Sequence, residues 1–227
     1  MTSKIEWLKD PITGKPGYTI NPVKGLCPWA CAYCYARKMY KRFKWNPELR
    51  FVPTAFNNLP TKPAKVFMGS TMELFLPECE SWLEKIFDII KPYKWLTFIF
   101  LTKQPQNLIK FSPYPENVWL GVSVTSQVQL RPAIWGLSDA QCNKRFLSLE
   151  PLLENVFDQV LPAEWDDCID WVIIGSRTQP VKHPPREWVD EIIQAADKAK
   201  IPLFVKEPMS SHYGINRKEY PTNKGER

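Results

Sequence analysis

The sequence predicts an α/β fold, one domain built around a parallel sheet. Two patterns carry that prediction. From residue 17 to residue 207, short and nearly continuous apolar runs alternate with amphipathic stretches, which is the rhythm of βα units. Polar residues gather where each apolar run ends, as expected where strands leave a covered core. With 44% hydrophobic residues in 227, the chain is long enough for one buried core and too short for two.

The first strand is expected over Tyr18–Val23 and leads into a cysteine-bearing loop. A helix follows over roughly Ala36–Trp45, with Met39, Tyr40 and Phe43 turned inward and the basic residues outward. After a second strand at Lys65–Gly69, Leu83, Ile86, Phe87 and Ile90 fall at i, i+3, i+4 and i+7 in a helix over Glu78–Lys91 that Pro92 stops. Strands are then expected at Thr97–Thr102, Val118–Val124, Arg145–Leu149 and Trp171–Gly175. Pro185 suits the first turn of a helix over Pro185–Lys200 whose apolar stripe reads Trp188, Ile192, Ala196 and Ala199. Leu203–Lys206 makes a seventh strand. The 22 prolines sit mostly at element edges and do not divide domains. From Gly214 to Arg227 the chain is polar and aperiodic, so residues 1–213 are expected to form the domain and 214–227 a mobile tail.

Composition excludes several classes. No run of about 18 uncharged apolar residues exists, and no basic-then-apolar leader opens the chain, so a cytoplasmic protein without a membrane partner is expected. Six cysteines are too few and too uneven for a disulfide framework, and three of them crowd into eight positions, which points to metal or redox chemistry. Of the net charge of +6, five positive charges lie on Arg37, Lys38, Lys41, Arg42 and Lys44 with no acid among them. Such a run is either a solvated helix face or a surface that engages phosphates.

In parallel α/β sheets the ligand site lies at the carboxyl ends of the strands. The residues there are Asn21 and the cysteines after strand one, Ser70 and Glu73 after two, and Thr102 and Lys103 closing three. Ser123, Thr125 and Gln127 close four, Glu150 closes five, Ser176 and Arg177 follow six, and Lys206 with Glu207 ends the last. Glu150, Lys103, Lys206 and Arg177 are expected to face a reaction chamber. A mix of opposite charges there can anchor a substrate and tune its protonation.

Residues 21–37 read NPVKGLCPWACAYCYAR and place Cys27, Cys31 and Cys34 at C-x3-C-x2-C on the loop after the first strand. Three thiolates clustered in this way suit an iron–sulfur cube and leave its fourth iron without a protein ligand. A structural zinc site would need a fourth donor. Cys142 and Cys168 precede strands five and six and belong on the opposite face, Cys79 begins a helix, and His183 and His212 are isolated.

At this motif the chain resembles the radical S-adenosylmethionine (SAM) superfamily, whose signature is C-x3-C-x-aromatic-C after the first strand of a partial (β/α) barrel. Tyr33 takes the aromatic place. The resemblance implies a barrel of six to seven parallel strands, a [4Fe-4S] cluster on Cys27, Cys31 and Cys34, SAM bound at the open iron, and Tyr33 beside the adenine. It further implies reductive cleavage of SAM to a 5′-deoxyadenosyl radical, with electrons from a donor such as flavodoxin or ferredoxin. Gly69, Ser70 and Glu73 match loosely the superfamily's motif for the SAM amino group, and Ser123 with Thr125 or Gln127 takes the place of its ribose contacts.

A closer likeness covers most of the chain, to a phage-encoded radical-SAM-like family of uncharacterised function. It is carried by KIEW at Lys4–Trp7, LTKQP at Leu101–Pro105, NVWLGVSV at Asn117–Val124, RFLSLEPLL at Arg145–Leu153, DWVIIG at Asp170–Gly175 and FVKE at Phe204–Glu207. That family has Glu where this chain has Thr125, and a Gly-Glu pair at Ser176 and Arg177. The cysteine region is also similar to that of spore-photoproduct-lyase-like DNA repair enzymes. With the basic run beside it, this implies a nucleotide or nucleic-acid substrate. The alternatives are radical modification of a peptide or partner protein, and a nucleic-acid-binding protein with a three-cysteine zinc site. A partner protein that completes the chamber suits a chain this small.

Overall fold

The structure is a computed structural model that describes residues 2–157 and 168–221. Its centre is a curled half-barrel of seven parallel strands in sequential order: β1 (Tyr18–Ile20), β2 (Ala64–Met68), β3 (Leu96–Thr102), β4 (Val118–Ser123), β5 (Lys144–Leu149), β6 (Trp171–Ile174) and β7 (Leu203–Val205). Each strand pairs with its sequence neighbour, from Thr19 against Phe67 to Phe204 against Ile173. Neighbour-to-neighbour order is what short right-handed βα crossovers produce.

Strand periodicity sorts the side chains onto two faces. On the convex face Val66, Phe98, Leu120, Leu147, Val172 and Leu203 are fully buried under helices. These are α2 (Glu80–Ile90), α3 (Gln127–Asp139) and α4 (Arg186–Lys198). α2 buries Leu83, Ile86, Phe87 and Ile90, the stripe its sequence spacing demands. On the concave face a second core of Trp7, Phe67, Ile99, Phe146, Trp171, Ile173 and Phe204 fills the bowl of the half-barrel. Trp7 meets Phe67 edge to face at 5.2 Å and Trp171 at 6.2 Å, so the concave side has a solid aromatic floor.

Several sequence expectations are corrected. The first strand stops at Ile20, because Pro22 has no N–H for the ladder, and Val23–Lys24 pairs with Arg50–Phe51 in a separate antiparallel ribbon. The helix after the cysteines, α1 (Tyr35–Phe43), buries only Ala36, while Met39 and Tyr40 are half-buried and Phe43 is 51% exposed. Its apolar stripe has no layer of the sheet to cover it. α4 buries Val189, Ile192, Ala195 and Ala196, a stripe turned from the one expected, with Trp188 only partly covered. Past α5 (Met209–Tyr213), Lys218 bridges Phe204 on the β7 edge, Val205 N–H donates to Arg217 O (2.9 Å) and Glu219 N–H donates to Leu203 O (3.1 Å). Residues 222–227 of the expected tail lie outside the described residues.

Candidate active site

At the carboxyl ends of the strands a cavity of about 420 Å³ opens above the aromatic floor. Its walls are the continuation of the concave row, so Phe67 leads to Gly69, Leu101 to Lys103, Ser148 to Glu150 and Phe204 to Lys206. Thirteen predicted residues line it: the three cysteines with Tyr33 on the loop after β1, Gly69, Ser70 and Glu73 after β2, and Lys103, Ser123, Glu150, Ser176, Arg177 and Lys206 from the later strands. A second hollow of about 470 Å³, between Lys94, Glu116 and Asn143, holds none of them.

The cysteine loop is tied down on both sides. Gly25, at φ +129°, passes so close to the following segment that a Cβ would lie 2.6 Å from Glu48 O, and its N–H donates to the Tyr40 hydroxyl (2.8 Å). Ala30 adopts a left-handed φ of 54° between Cys27 and Cys31, and Cys34 N–H donates to Cys31 O (3.0 Å) just before α1 begins. Arg37 on α1 reaches back to donate to Cys27 O (3.1 Å). The half-buried thiols sense one another: burial pushes the Cys31 thiol up, Cys34 and Cys27 add to this, and the Lys103 ammonium opposes it. Tyr33, between them, has its phenol pushed up to about 12, first by burial and then by Cys31, while the Thr125 side chain pulls the other way.

Among the described residues no three His, Cys, Asp or Glu side chains are gathered round a single ion position. All three thiols line one cavity. The thiol next to them is Cys79, which sits in the core at the N-terminus of α2, near enough to Cys27 to feel its charge. Burial pushes Cys79 up to about 12, so it is a protonated core residue.

Glu73 does not present its carboxylate to the cavity as a free acceptor. It accepts from Thr102 Oγ (2.6 Å), Lys103 N–H (2.8 Å) and Phe75 N–H (3.2 Å), and its own N–H donates to Cys27 Sγ (3.5 Å). Burial raises its pKa, and these donors and Lys103 work against that rise. The residue therefore joins the β2 loop, the β3 end and the cysteine loop. Asn21 does similar work, its Oδ1 accepting from Ser70 Oγ (3.3 Å) and Thr71 N–H (3.1 Å).

Thr125 and Gln127 do not line the cavity. Thr125 is buried behind Tyr33 and donates from its N–H to Gln129 Oε1 (2.8 Å), whereas Gln127 begins α3 on the exposed side. Gln129 closes a capping box with Ser126, a Ser-x-x-Gln signal legible in the sequence. Ser148 was not singled out, although a buried serine inside the apolar run Phe146–Leu149 is itself a signal, and it lines the chamber.

Glu150 and Lys206 form an ion pair in the cavity wall, with Gly175 leaving room for the Glu150 carboxyl, which would sit 3.1 Å from a Cβ there. Arg177 stands on a short hairpin, Arg177–Thr178 paired with Val181–Lys182, and its Nε is buried without a hydrogen-bond partner. With Glu150 paired to Lys206 and Glu73 enclosed by donors, Lys103 and Arg177 leave the chamber electropositive.

A family model described as "Protein of unknown function (DUF5131)" matches residues 2–219. Neither the curated proteins nor the solved structures give a match.

Proposed function

The chain belongs to the DUF5131 family, and from its chamber we propose that it is a radical SAM enzyme acting on a nucleotide or nucleic-acid substrate. The observation that carries the reading is the convergence of Cys27, Cys31 and Cys34 on one cavity at the carboxyl ends of a parallel half-barrel. A [4Fe-4S] cluster bound to those thiolates would supply the electron that splits SAM into methionine and a 5′-deoxyadenosyl radical.

The chain's own residues give this chemistry its setting. The aromatic floor of Trp7, Phe67 and Phe146 closes the chamber from below and keeps water away from a radical. Burial holds the Cys31 thiol up and the Lys103 ammonium works against that rise, and the Glu73 N–H steadies Cys27 Sγ, the kind of hydrogen bond that tunes a thiolate ligand. Tyr33, Gly69, Ser70 and Ser123 line the same cavity as the cysteines, and the SAM nucleoside and amino-acid groups would rest against them. Lys103 and Arg177 match a carboxylate or phosphate, and the Glu150–Lys206 pair can hold or release a proton beside the reacting atoms.

The test is anaerobic iron and sulfide reconstitution, then reduction with SAM present and chromatography for 5′-deoxyadenosine. Wild type is expected to form it and Cys31→Ala to form none. Tight binding of one zinc without any SAM cleavage would overturn the reading.

A further inference from the structure

The outer face of α1, past its first turn, is spent on neither core nor chamber. Lys38, Lys41, Arg42 and Lys44 are all exposed, and no acid occurs between Tyr35 and Pro47. Among the described residues none of the four forms an ion pair. Lys44 ends the helix in a left-handed conformation (φ 50°), which turns the chain so that Trp45 N–H donates to Tyr40 O (3.2 Å). That turn lays the Trp45 ring on Phe43, stacked at 5.4 Å and 22°, with Tyr40 edge-on to Trp45 at 5.2 Å. Phe43 remains 51% and Trp45 43% exposed. A two-ring platform thus stands among four cations without an acid partner, one of which, Arg42, lies over the Phe43 ring at 5.3 Å, although water is the least favourable neighbour for both rings.

The platform borders a groove lined by Leu26, Arg37, Lys38, Lys41 and Trp45. The groove neighbours the chamber along the chain: Leu26 and Arg37 in its lining adjoin Cys27 and Ala36, which are chamber wall, and Arg37 donates to Cys27 O (3.1 Å). Trp29, 43% exposed, stands on the chamber rim. Cations alone would suit any polyanion, but cations beside stacked aromatic rings suit one that carries planar bases. A groove whose lining adjoins that of a cavity of about 420 Å³ suits an extended strand that passes along the groove and delivers one unit inward. In a duplex the base faces are stacked away from such a platform.

We propose that α1 and its groove bind single-stranded nucleic acid, with bases on Phe43 and Trp45 and phosphates on Lys38, Lys41, Arg42 and Lys44, and lead the strand to the chamber. The inference deepens the function proposed above and rests on it for what happens to the strand inside. The binding itself requires neither cluster nor SAM.

Fluorescence anisotropy of the full chain with labelled single strands of about 20 nucleotides, DNA and RNA, tests it at increasing salt. Wild type is expected to bind single strands more tightly than duplex. Lys41→Ala/Arg42→Ala is expected to weaken binding about 10-fold and to flatten the log–log salt slope by roughly 1.4. Trp45→Ala is expected to weaken it about 5-fold or more with the slope kept. All three residues are exposed, so thermal melts should match wild type. Absence of wild-type binding at about 50 mM salt, unchanged affinity in both variants, or capture by phosphatidylserine vesicles in place of the strand would each overturn the proposal. Because anisotropy needs no SAM cleavage and SAM cleavage needs no strand, failure of one reading is distinguishable from failure of the other.

Discussion

Lys65 shows how one residue can carry a charge the fold would prefer it not to have. It lies on the concave row of β2, at the end of the bowl away from the chamber, where its Nζ sits 3.9 Å from the Tyr220 ring centroid and 5.9 Å from that of Trp119. It donates to Lys9 O (3.2 Å). Burial pulls its pKa from 10.5 down to about 8, against the charge of Asp10. A lysine whose folded pKa lies below its unfolded one binds fewer protons folded than unfolded between those values, so stability rises with pH across that window. Wild type should therefore gain stability relative to Lys65→Met as pH is raised from about 8 to 10.5, with a constant difference below it. Urea midpoints at closely spaced pH values check this; a flat difference throughout would mean the ammonium is fully hydrated in the folded state.

At the scale of elements, β4 shows what an inner row of a tightly curled sheet demands. Gly121 falls on the concave face, and a Cβ there would lie 2.2–2.5 Å from the Phe146 ring. The missing side chain is what lets Phe146 fill the bowl. Gly121→Ala should cost about 1–3 kcal/mol by overpacking, read from urea unfolding. Gly121→Ala/Phe146→Leu should lose less than the two single changes summed, because the alanine methyl occupies space the ring vacates. Additive losses would mean that the sheet relaxes elsewhere.

This pair also marks the limit of what the sequence makes legible. The seven apolar runs and the α2 stripe are visible because a strand covered on both faces and a helix covered on one leave unmistakable periods. Period alone does not say whether a stripe has a neighbour, which is why Phe43, inward by spacing on α1, stands in solvent. The strand-end rule finds most of the chamber because alternate residues of a parallel strand continue the same wall past its end. It fails at Gln127, where the chain has already turned into α3, and it misses that Glu73 is enclosed by Phe75, Thr102 and Lys103, since two of those donors come from a strand end about 30 residues further on.

For the molecule as a whole, the half-barrel has two open edges, and both termini are used to cover them. Thr2 bridges Tyr18 on β1, and Lys218 bridges Phe204 on β7, each antiparallel to the strand it covers. A bare parallel edge would offer its N–H and C=O groups to another chain. The two terminal segments are also tied to each other, since Glu6 accepts from Lys218 Nζ (2.9 Å) and from Glu207 N–H (3.0 Å). Trp171, at the centre of the bowl, donates its indole N–H to Glu219 O (2.9 Å) and stacks on Tyr220 at 5.7 Å. Arg217 pins the segment to α4 through Asp197 (2.7 Å). Ending the chain after Gly214 should therefore lower stability by at least about 3 kcal/mol, because it removes an aromatic partner of the floor and leaves a buried indole donor unpaired. It should also promote self-association through the β7 edge. Glu6→Ala, which cuts only the tie between the termini, should cost about 1 kcal/mol and leave the molecule at its wild-type size. Thermal melts with size-exclusion chromatography separate these outcomes. A truncated chain that melts with wild type and elutes at the same volume would show that the half-barrel holds its own edge.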